Sequence, residues 1–359
     1  MGNVYSSSKI FHFPDRLQKI AAKEIPPPIH IRLKPTNRCN HNCAYCCYRN
    51  PDLQLGEHMQ ERDQIPPAKM REIVADLVDM GVRAVTFSGG GEPLCYPHIV
   101  ETANALMDGG IKVAMLTNGA RLDGEAAELL AQRATWVRVS IGAVDPESYA
   151  RVRSVGLGEF DRVCNNMRAF AAMPGRTCVL GVNFIVTQEN SAQVLHFLEM
   201  AREIGVDHVK VSGVVTSTEP EENRRYMAAF YDEVKAQIRE AETTLANEHF
   251  SVIDKVHFPD SMRENYVREY TWCPMTRCLT IIAADQNVYT CQDKAYTTDG
   301  LLGSIRERSF ADLWSSTELR ERLQNLDPSR ECRHHCVSHG KNLALIDFFE
   351  ADQEHMDFV

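Results

Sequence analysis

From residue 30 to about 215, short apolar runs rich in valine, isoleucine and phenylalanine alternate with longer stretches whose apolar residues recur at helical spacing. The runs at 30–35, 84–88, 112–117, 135–141, 179–186 and 208–212 have strand length, and the patterns at 67–80, 97–108, 123–132, 159–172 and 191–204 have helix length. Gly81, Gly109 and Gly205 stand just past three of the helical patterns, where a left-handed C-cap favours glycine. Strands alternating with helices predict an α/β fold, a partial or full (β/α)6 barrel of the TIM type. Functional residues of such barrels collect at the C-terminal ends of the strands.

The flanks read differently. Residues 1–28 hold Phe11, Phe13 and a short amphipathic piece at 16–22, stopped by Pro26-Pro27-Pro28, and are expected to pack across the barrel as a lead-in. A long helix is predicted over 220–247, with Tyr226, Phe230, Val234 and Ile238 on one face. Residues 251–272 read as a linker. From 273 a smaller module begins: a hairpin from strands at 279–283 and 288–291, then Gly303-Ser304-Ile305, a helix at 309–314 and a terminal helix near 342–351. The chain thus divides into 1–28, 29–250, 251–272 and 273–359.

Composition narrows the class. An apolar share of 44% over 359 residues supports a real core. The balance of 39 basic to 49 acidic residues, net −10, argues against nucleic acid or an anionic membrane as partner. No apolar run has transmembrane length and no signal-peptide pattern opens the chain, so a cytoplasmic protein is expected. The opening Met1-Gly2-Asn3-Val4-Tyr5-Ser6 fits a loose N-myristoylation pattern, taken here as coincidence. Twelve cysteines in that setting do not suggest a disulfide framework. Cys39, Cys43, Cys46 and Cys47 form one group and Cys273, Cys278, Cys291, Cys332 and Cys336 another, which favours metal ligation; isolated Cys95, Cys164 and Cys178 suit packing.

The chemistry concentrates in Lys34-Pro-Thr-Asn-Arg-Cys39-Asn-His-Asn-Cys43-Ala-Tyr45-Cys46-Cys47-Tyr48-Arg49. Its C-x3-C-x2-C spacing lets one short loop turn three thiolates onto a single centre. An Fe–S cube held by three cysteines keeps one iron open to another ligand. On spacing alone, a zinc loop completed by Cys47, His41 or a distant residue is equally open. Further along, the strand at 84–88 runs into Gly89-Gly90-Gly91-Glu92-Pro93, and later strands end in Thr117-Asn118-Gly119 and at Ser140.

With these motifs in this order the chain resembles the radical S-adenosylmethionine (SAM) superfamily, and its tail resembles the SPASM or twitch-type auxiliary-cluster domain of many such enzymes. The resemblance implies a [4Fe–4S] cluster on Cys39, Cys43 and Cys46, with SAM on the open iron. It implies that Gly90 and Gly91 backbone with Glu92 hold the SAM amino group, that Tyr45 lies beside the adenine, that Ser140 and Asn118 face ribose or carboxylate, and that Arg153 reaches the carboxylate. Cys47 should point away. Five tail cysteines are too few for two four-cysteine clusters. One auxiliary [4Fe–4S] cluster is expected on Cys273, Cys278, Cys291 and either Cys332 or Cys336, against a zinc site that also draws on His334, His335 or His339. Where many relatives place an aspartate after strand four, this chain has Ser140-Ile141-Gly142-Ala143.

The activity implied is reductive cleavage of SAM to a 5′-deoxyadenosyl radical that takes hydrogen from a small polar substrate, a sugar, cyclitol or nucleotide sugar, giving oxidation or epimerisation. The short lead-in, with no room for a peptide-binding winged helix, supports that choice, and no cobalamin-binding domain is evident. Cys95 is the candidate hydrogen donor, with packing as its plainer role. The electron donor would be a flavodoxin or ferredoxin. Two other readings stand beside this one: a maturase acting on a peptide or protein side chain, and a zinc-stabilised binding protein without catalysis.

Overall fold

The computed structural model describes residues 5–49, 56–256 and 266–355. Gly2, on which the myristoylation pattern depends, lies outside them. The strands are β1 (His30–Leu33), β2 (Ala84–Phe87), β3 (Lys112–Thr117), β4 (Trp136–Ile141), β5 (Val179–Val186), β6 (His208–Gly213), β7 (Ser251–Lys255), β8 (Leu279–Ile282), β9 (Asn287–Tyr289) and β10 (Leu301–Ser304). The helices are α1 (Pro14–Ala21), α2 (Pro67–Asp79), α3 (Ile99–Asp108), α4 (Gly124–Arg133), α5 (Pro146–Arg153), α6 (Gly158–Ala171), α7 (Val194–Ile204), α8 (Pro220–Ala228), α9 (Tyr231–Thr244), α10 (Phe310–Ser315), α11 (Thr317–Gln324), α12 (Pro328–Glu331) and α13 (His339–Glu350).

All ten strands join one sheet in the order β10-β9-β8-β1-β2-β3-β4-β5-β6-β7. Pairing is parallel from β8 through β1 to β7, and β9 and β10 add antiparallel. Among the described residues β7 and β10 are its two ends, so the barrel is partial. Along β1 and β4 burial alternates: Ile31, Leu33, Val137, Val139 and Ile141 are fully buried, while Arg32, Arg138 and Ser140 between them are only partly covered. The apolar set packs with Ile73 and Leu77 of α2, Leu106 of α3 and Phe170 of α6, each such side chain contributing about 2 kcal/mol by leaving water. The alternate set faces the barrel interior, as the two-residue period of a strand requires.

Four elements depart from the sequence reading. Residues 251–255, expected in a linker, form β7 and pair with β6 from Ser251↔His208 to Lys255↔Ser212. The predicted 220–247 helix is two helices. It breaks at Ala229-Phe230, where Phe230 turns into the core at 4% exposure and α9 restarts with Val234 and Ile238 buried. α5 was not among the predicted helices. Finally, α1 does not pack across the barrel: Leu17 and Ile20 join Ile10, Ile29, Met275, Cys278 and Leu345 in a separate apolar cluster on the C-terminal module. The segment before α1 does reach the barrel: Tyr5, Ser6, Ser7 and Lys9 line the interior cavity, and the Tyr5 hydroxyl meets Arg138 Nη1 at 2.9 Å and His208 Nε2 at 3.3 Å.

The C-terminal module is not a detached bead. β8 pairs with β1 from His30↔Leu279 to Leu33↔Ile282, and Lys34 N donates to Ile282 O at 2.8 Å.

Candidate active site: a cysteine loop and an auxiliary thiol cavity

The loop after β1 is tied down by the end of α5. Asn42 N donates to Arg153 O at 3.0 Å and Ala44 N to Val152 O at 2.9 Å. Asp145 caps α5, its carboxylate accepting from Ser148 N at 2.7 Å, and the helix stops at Ser154 in a left-handed conformation, φ 52°. This geometry delivers Arg153 into the loop. Its Nη1 donates to Cys43 Sγ at 3.1 Å, its Nη2 to Ser140 O at 2.6 Å, and its guanidinium lies 5.2 Å from the Tyr45 ring centre and 5.6 Å from that of Tyr149.

The charge field separates the three thiols. Burial pushes Cys43 up, but Arg153 and then His41 outweigh it and bring the thiol down to about 7. Burial raises Cys39 to about 11 and also raises Cys46. Tyr45 Oη and Arg153 Nε are buried without a protein partner beside these thiols, a polar opening that fits a ligand with both donors and acceptors.

The glycine turn has a reason other than the one expected. A Cβ on Gly90 would fall 2.2 Å from Asn37 Oδ1, and one on Gly91 2.1 Å from Arg38 O, so these glycines first let the turn press against the cysteine loop. Gly91 N donates to Thr36 O at 3.1 Å and Glu92 N to Arg38 O at 2.9 Å. The Glu92 carboxylate is buried and occupied. Oε1 accepts from Thr117 Oγ1 at 2.7 Å and Leu94 N at 3.1 Å, and Oε2 from Asn118 N at 2.7 Å. Burial raises its pKa, against those hydrogen bonds. Asn118 Nδ2 donates to Asn40 Oδ1 at 2.8 Å, and the Cys95 thiol meets the same oxygen at 3.6 Å. Cys95 is thus on the site's rim, its pKa raised by burial and then by Glu92.

The departure at Gly142 has a local explanation. A Cβ there would lie 3.0 Å from Tyr45 Oη, so the tyrosine fills the space a side chain would need. Burial and then Cys46 push the Cys47 thiol up to about 12, with Lys34 acting against them.

A network missing from the sequence reading joins the two cysteine regions. Lys34 Nζ donates to Tyr48 Oη and, at 3.2 Å, to Gly89 O, with its ammonium 4.1 Å from the Tyr48 ring centre. Gln292, next to Cys291, donates to the same Tyr48 hydroxyl, and Tyr296 donates to Asn37. Burial lowers Lys34 to about 7. Polar residues directly after a buried strand, Lys34 to Asn37, were the available cue.

In the C-terminal module Cys273, Cys291, Cys332 and Cys336 line one cavity with Arg268, Thr290, Lys294 and His334. Arg268 Nε, Thr290 Oγ1 and Lys294 Nζ are buried there without protein partners. Four thiols facing orphaned donors suit an anionic iron–sulfur cluster, whose sulfurs accept such hydrogen bonds. Cys278, expected among the ligands, lies elsewhere: it is packed in the apolar cluster with α1, its thiol against Pro274 O at 3.7 Å. Cys273 and Cys278 flank the short helical turn Pro274–Arg277, and only Cys273 of the two lines the cavity. Among the described residues no three Cys, His, Asp or Glu side chains converge as ligands of a single ion.

The sequence profile of the Radical SAM superfamily matches residues 33–231. The chain belongs to the radical SAM superfamily. A second profile, SPASM, an iron-sulfur cluster-binding domain, matches residues 273–337. The cofactors of this radical SAM enzyme are accordingly [4Fe–4S] clusters and SAM. PqqA peptide cyclase of Xanthomonas campestris is 27% identical over 84% of this chain and 77% of its own. The AdoMet-dependent heme synthase of Methanosarcina barkeri is 24% identical over 83% and 85%. Streptococcus suis SuiB bound to its precursor peptide SuiA shares the fold with a TM-score of 0.61 at 18% identity, covering 87% of this chain and 70% of that one. These findings overturn the expected sugar, cyclitol or nucleotide-sugar substrate: two of the three name a peptide and none names a sugar. The negative argument from the short lead-in misled, because a peptide can be recognised without a winged helix. No helix among the described residues is long and apolar enough to cross a membrane.

Proposed function

We propose that this radical SAM enzyme modifies a side chain of a peptide or protein substrate. The observation that carries this reading is the match to PqqA peptide cyclase, which runs through both the barrel and the auxiliary module. In this reading Cys39, Cys43 and Cys46 hold the first cluster, and Cys273, Cys291, Cys332 and Cys336 hold a second, with Cys278 released from that role. When bound, cluster and SAM together supply the radical chemistry. Around them, Arg153 holds Cys43 as thiolate and offers its free Nε toward the SAM carboxylate. Tyr45 and Ser140 border the nucleoside, and Gly90, Gly91 and Asn118 shape the pocket for the amino acid part. Glu92 acts by fixing Asn118 and Thr117 rather than by direct contact. Cys95 is a packing residue bound to Asn40. Reduction by a flavodoxin or ferredoxin supplies the electron.

The test is anaerobic reconstitution followed by incubation with SAM, reductant and a library of synthetic peptides, reading 5′-deoxyadenosine and peptide mass. Loss of two hydrogens from a peptide, matched by 5′-deoxyadenosine, is the expected result. SAM cleavage that responds to nucleotide sugars or cyclitols and to no peptide would sink the reading.

A further inference from the structure

The barrel interior holds a cavity of about 450 Å³, within the range of small-ligand sites. Among the described residues its wall carries Arg32 of β1, Arg138 of β4, Lys210 of β6 and Lys255 of β7, with Lys9, Arg224 and Lys341 beside them, and no aspartate or glutamate. In a chain of net charge −10 this is a strong local reversal. Among the described residues no carboxylate lies within ion-pair distance of Arg32, Arg138, Lys210 or Lys255. Arg138 donates to Tyr5 Oη, but its Nε is buried with no acceptor; Arg224, by contrast, pairs with Glu221 through Nη1 at 3.3 Å. Folding alone does not explain such a group: gathering like charges around one cavity without a counter-charge costs free energy. Lys210 carries the cost visibly, since burial, then Arg138, Arg32 and Lys255, bring its pKa down to about 7.

The register places this charge next to the chemistry. Lys210 pairs with Asn183, which pairs with Ser140, so Lys210 lies level with the residue whose carbonyl Arg153 holds. Cys336 of the auxiliary cavity also reaches the chamber wall. Arg153 is not part of that wall, so the cations here are additional to the one beside Cys43.

We propose that this chamber receives an acidic peptide segment, whose carboxylates pair with Arg32, Arg138, Lys210 and Lys255 and so set the target residue between the two cysteine sites. The proposal rests on the peptide-modifying reading and adds the chemical class of the peptide.

The experiment uses reconstituted holoenzyme with SAM and fluorescein-labelled peptides of one frame carrying glutamates, glutamines or lysines at the same positions, read by anisotropy; citrate is titrated as a free polycarboxylate. The glutamate peptide should bind at least about tenfold tighter than the glutamine peptide, and more weakly as salt rises. Lys210→Met should lose about tenfold for the glutamate peptide only, and Lys210→Arg should restore it. Lys255→Gln, at another cation of the wall, gives the same readout should Lys210→Met not fold, with iron content and circular dichroism confirming the state of each variant. Equal binding of all peptides overturns the acidic preference and leaves the peptide reading standing. Binding of citrate with none of any peptide overturns the proposal together with that reading.

Discussion

Arg153 and Cys43 are in direct contact, Nη1 to Sγ at 3.1 Å, although they sit 110 positions apart in the chain. The contact exists because α5 ends on the cysteine loop and spends its last backbone carbonyls on Asn42 N and Ala44 N. It makes Cys43 the most acidic of the three loop thiols.

The first prediction follows from it. In metal-free, reduced protein at pH 7, Arg153→Gln should slow alkylation of Cys43 by iodoacetamide about tenfold, as its thiol returns toward the ordinary range. Cys39 should change little. Site-resolved mass spectrometry checks this, and an unchanged Cys43 rate would refute the role given to Arg153.

The placement of the tail cysteines predicts metal content. Reconstituted wild type should hold about eight irons, Cys291→Ser about four, and Cys278→Ser about eight, because the last thiol lies among apolar side chains away from the cavity. Iron and acid-labile sulfide analysis decides between Cys278 and the pair Cys332 with Cys336.

Gly91→Ala should destabilise the protein by about 3 kcal/mol, since its Cβ would lie 2.1 Å from a backbone oxygen that cannot move aside. The comparison is Gly156→Ala, where nothing lies within 4 Å. Thermal unfolding of both variants should show a drop of several degrees for the first and little for the second.

Two interior histidines predict acid sensitivity. Burial, then Arg32, brings His30 down to about 3, and burial, then Arg138, brings His208 down to about 4, both from 6.5. A base whose folded pKa is depressed stays neutral in the fold and gains its proton on unfolding. Stability is therefore full above about pH 6.5 and falls as pH drops from there toward 4, by about 2 kcal/mol per histidine at pH 5. Denaturant unfolding at pH 7 and pH 5 measures it, and His30→Gln should remove close to half of the difference.

Most of the barrel was legible because its strands are apolar and closely punctuated: 179–186 and 112–117 are the observed β5 and β3, and glycines mark three helix ends. β7 was not, because Ser-Val-Ile-Asp-Lys is an edge strand of half-covered residues with no apolar alternation to find. α5 escaped for a related reason: only Tyr149 and Arg153 of its residues are buried, although Asp145-Pro146 marked its start. At the site Arg153 touches Cys43, the Ser140 carbonyl and the Tyr45 ring, and Glu92 accepts from Asn118 N. Cys278 was grouped with Cys273 on sequence proximity alone, which says nothing of the apolar cluster it joins. The interior cations were visible in principle, as single charges between apolar neighbours in Ile31-Arg32-Leu33, Val137-Arg138-Val139 and Val209-Lys210-Val211.

The pairing of β8 with β1 has a consequence for biosynthesis. The ribosome delivers β1 and its cysteine loop early, yet the strand that completes β1 emerges only with the last quarter of the chain. Until then the loop lacks Gln292, Tyr296 and the covering hairpin. The final packing of Tyr48 and Asn37 in the loop therefore waits on a non-local closure of the kind that folds slowly, long after the loop itself has been made.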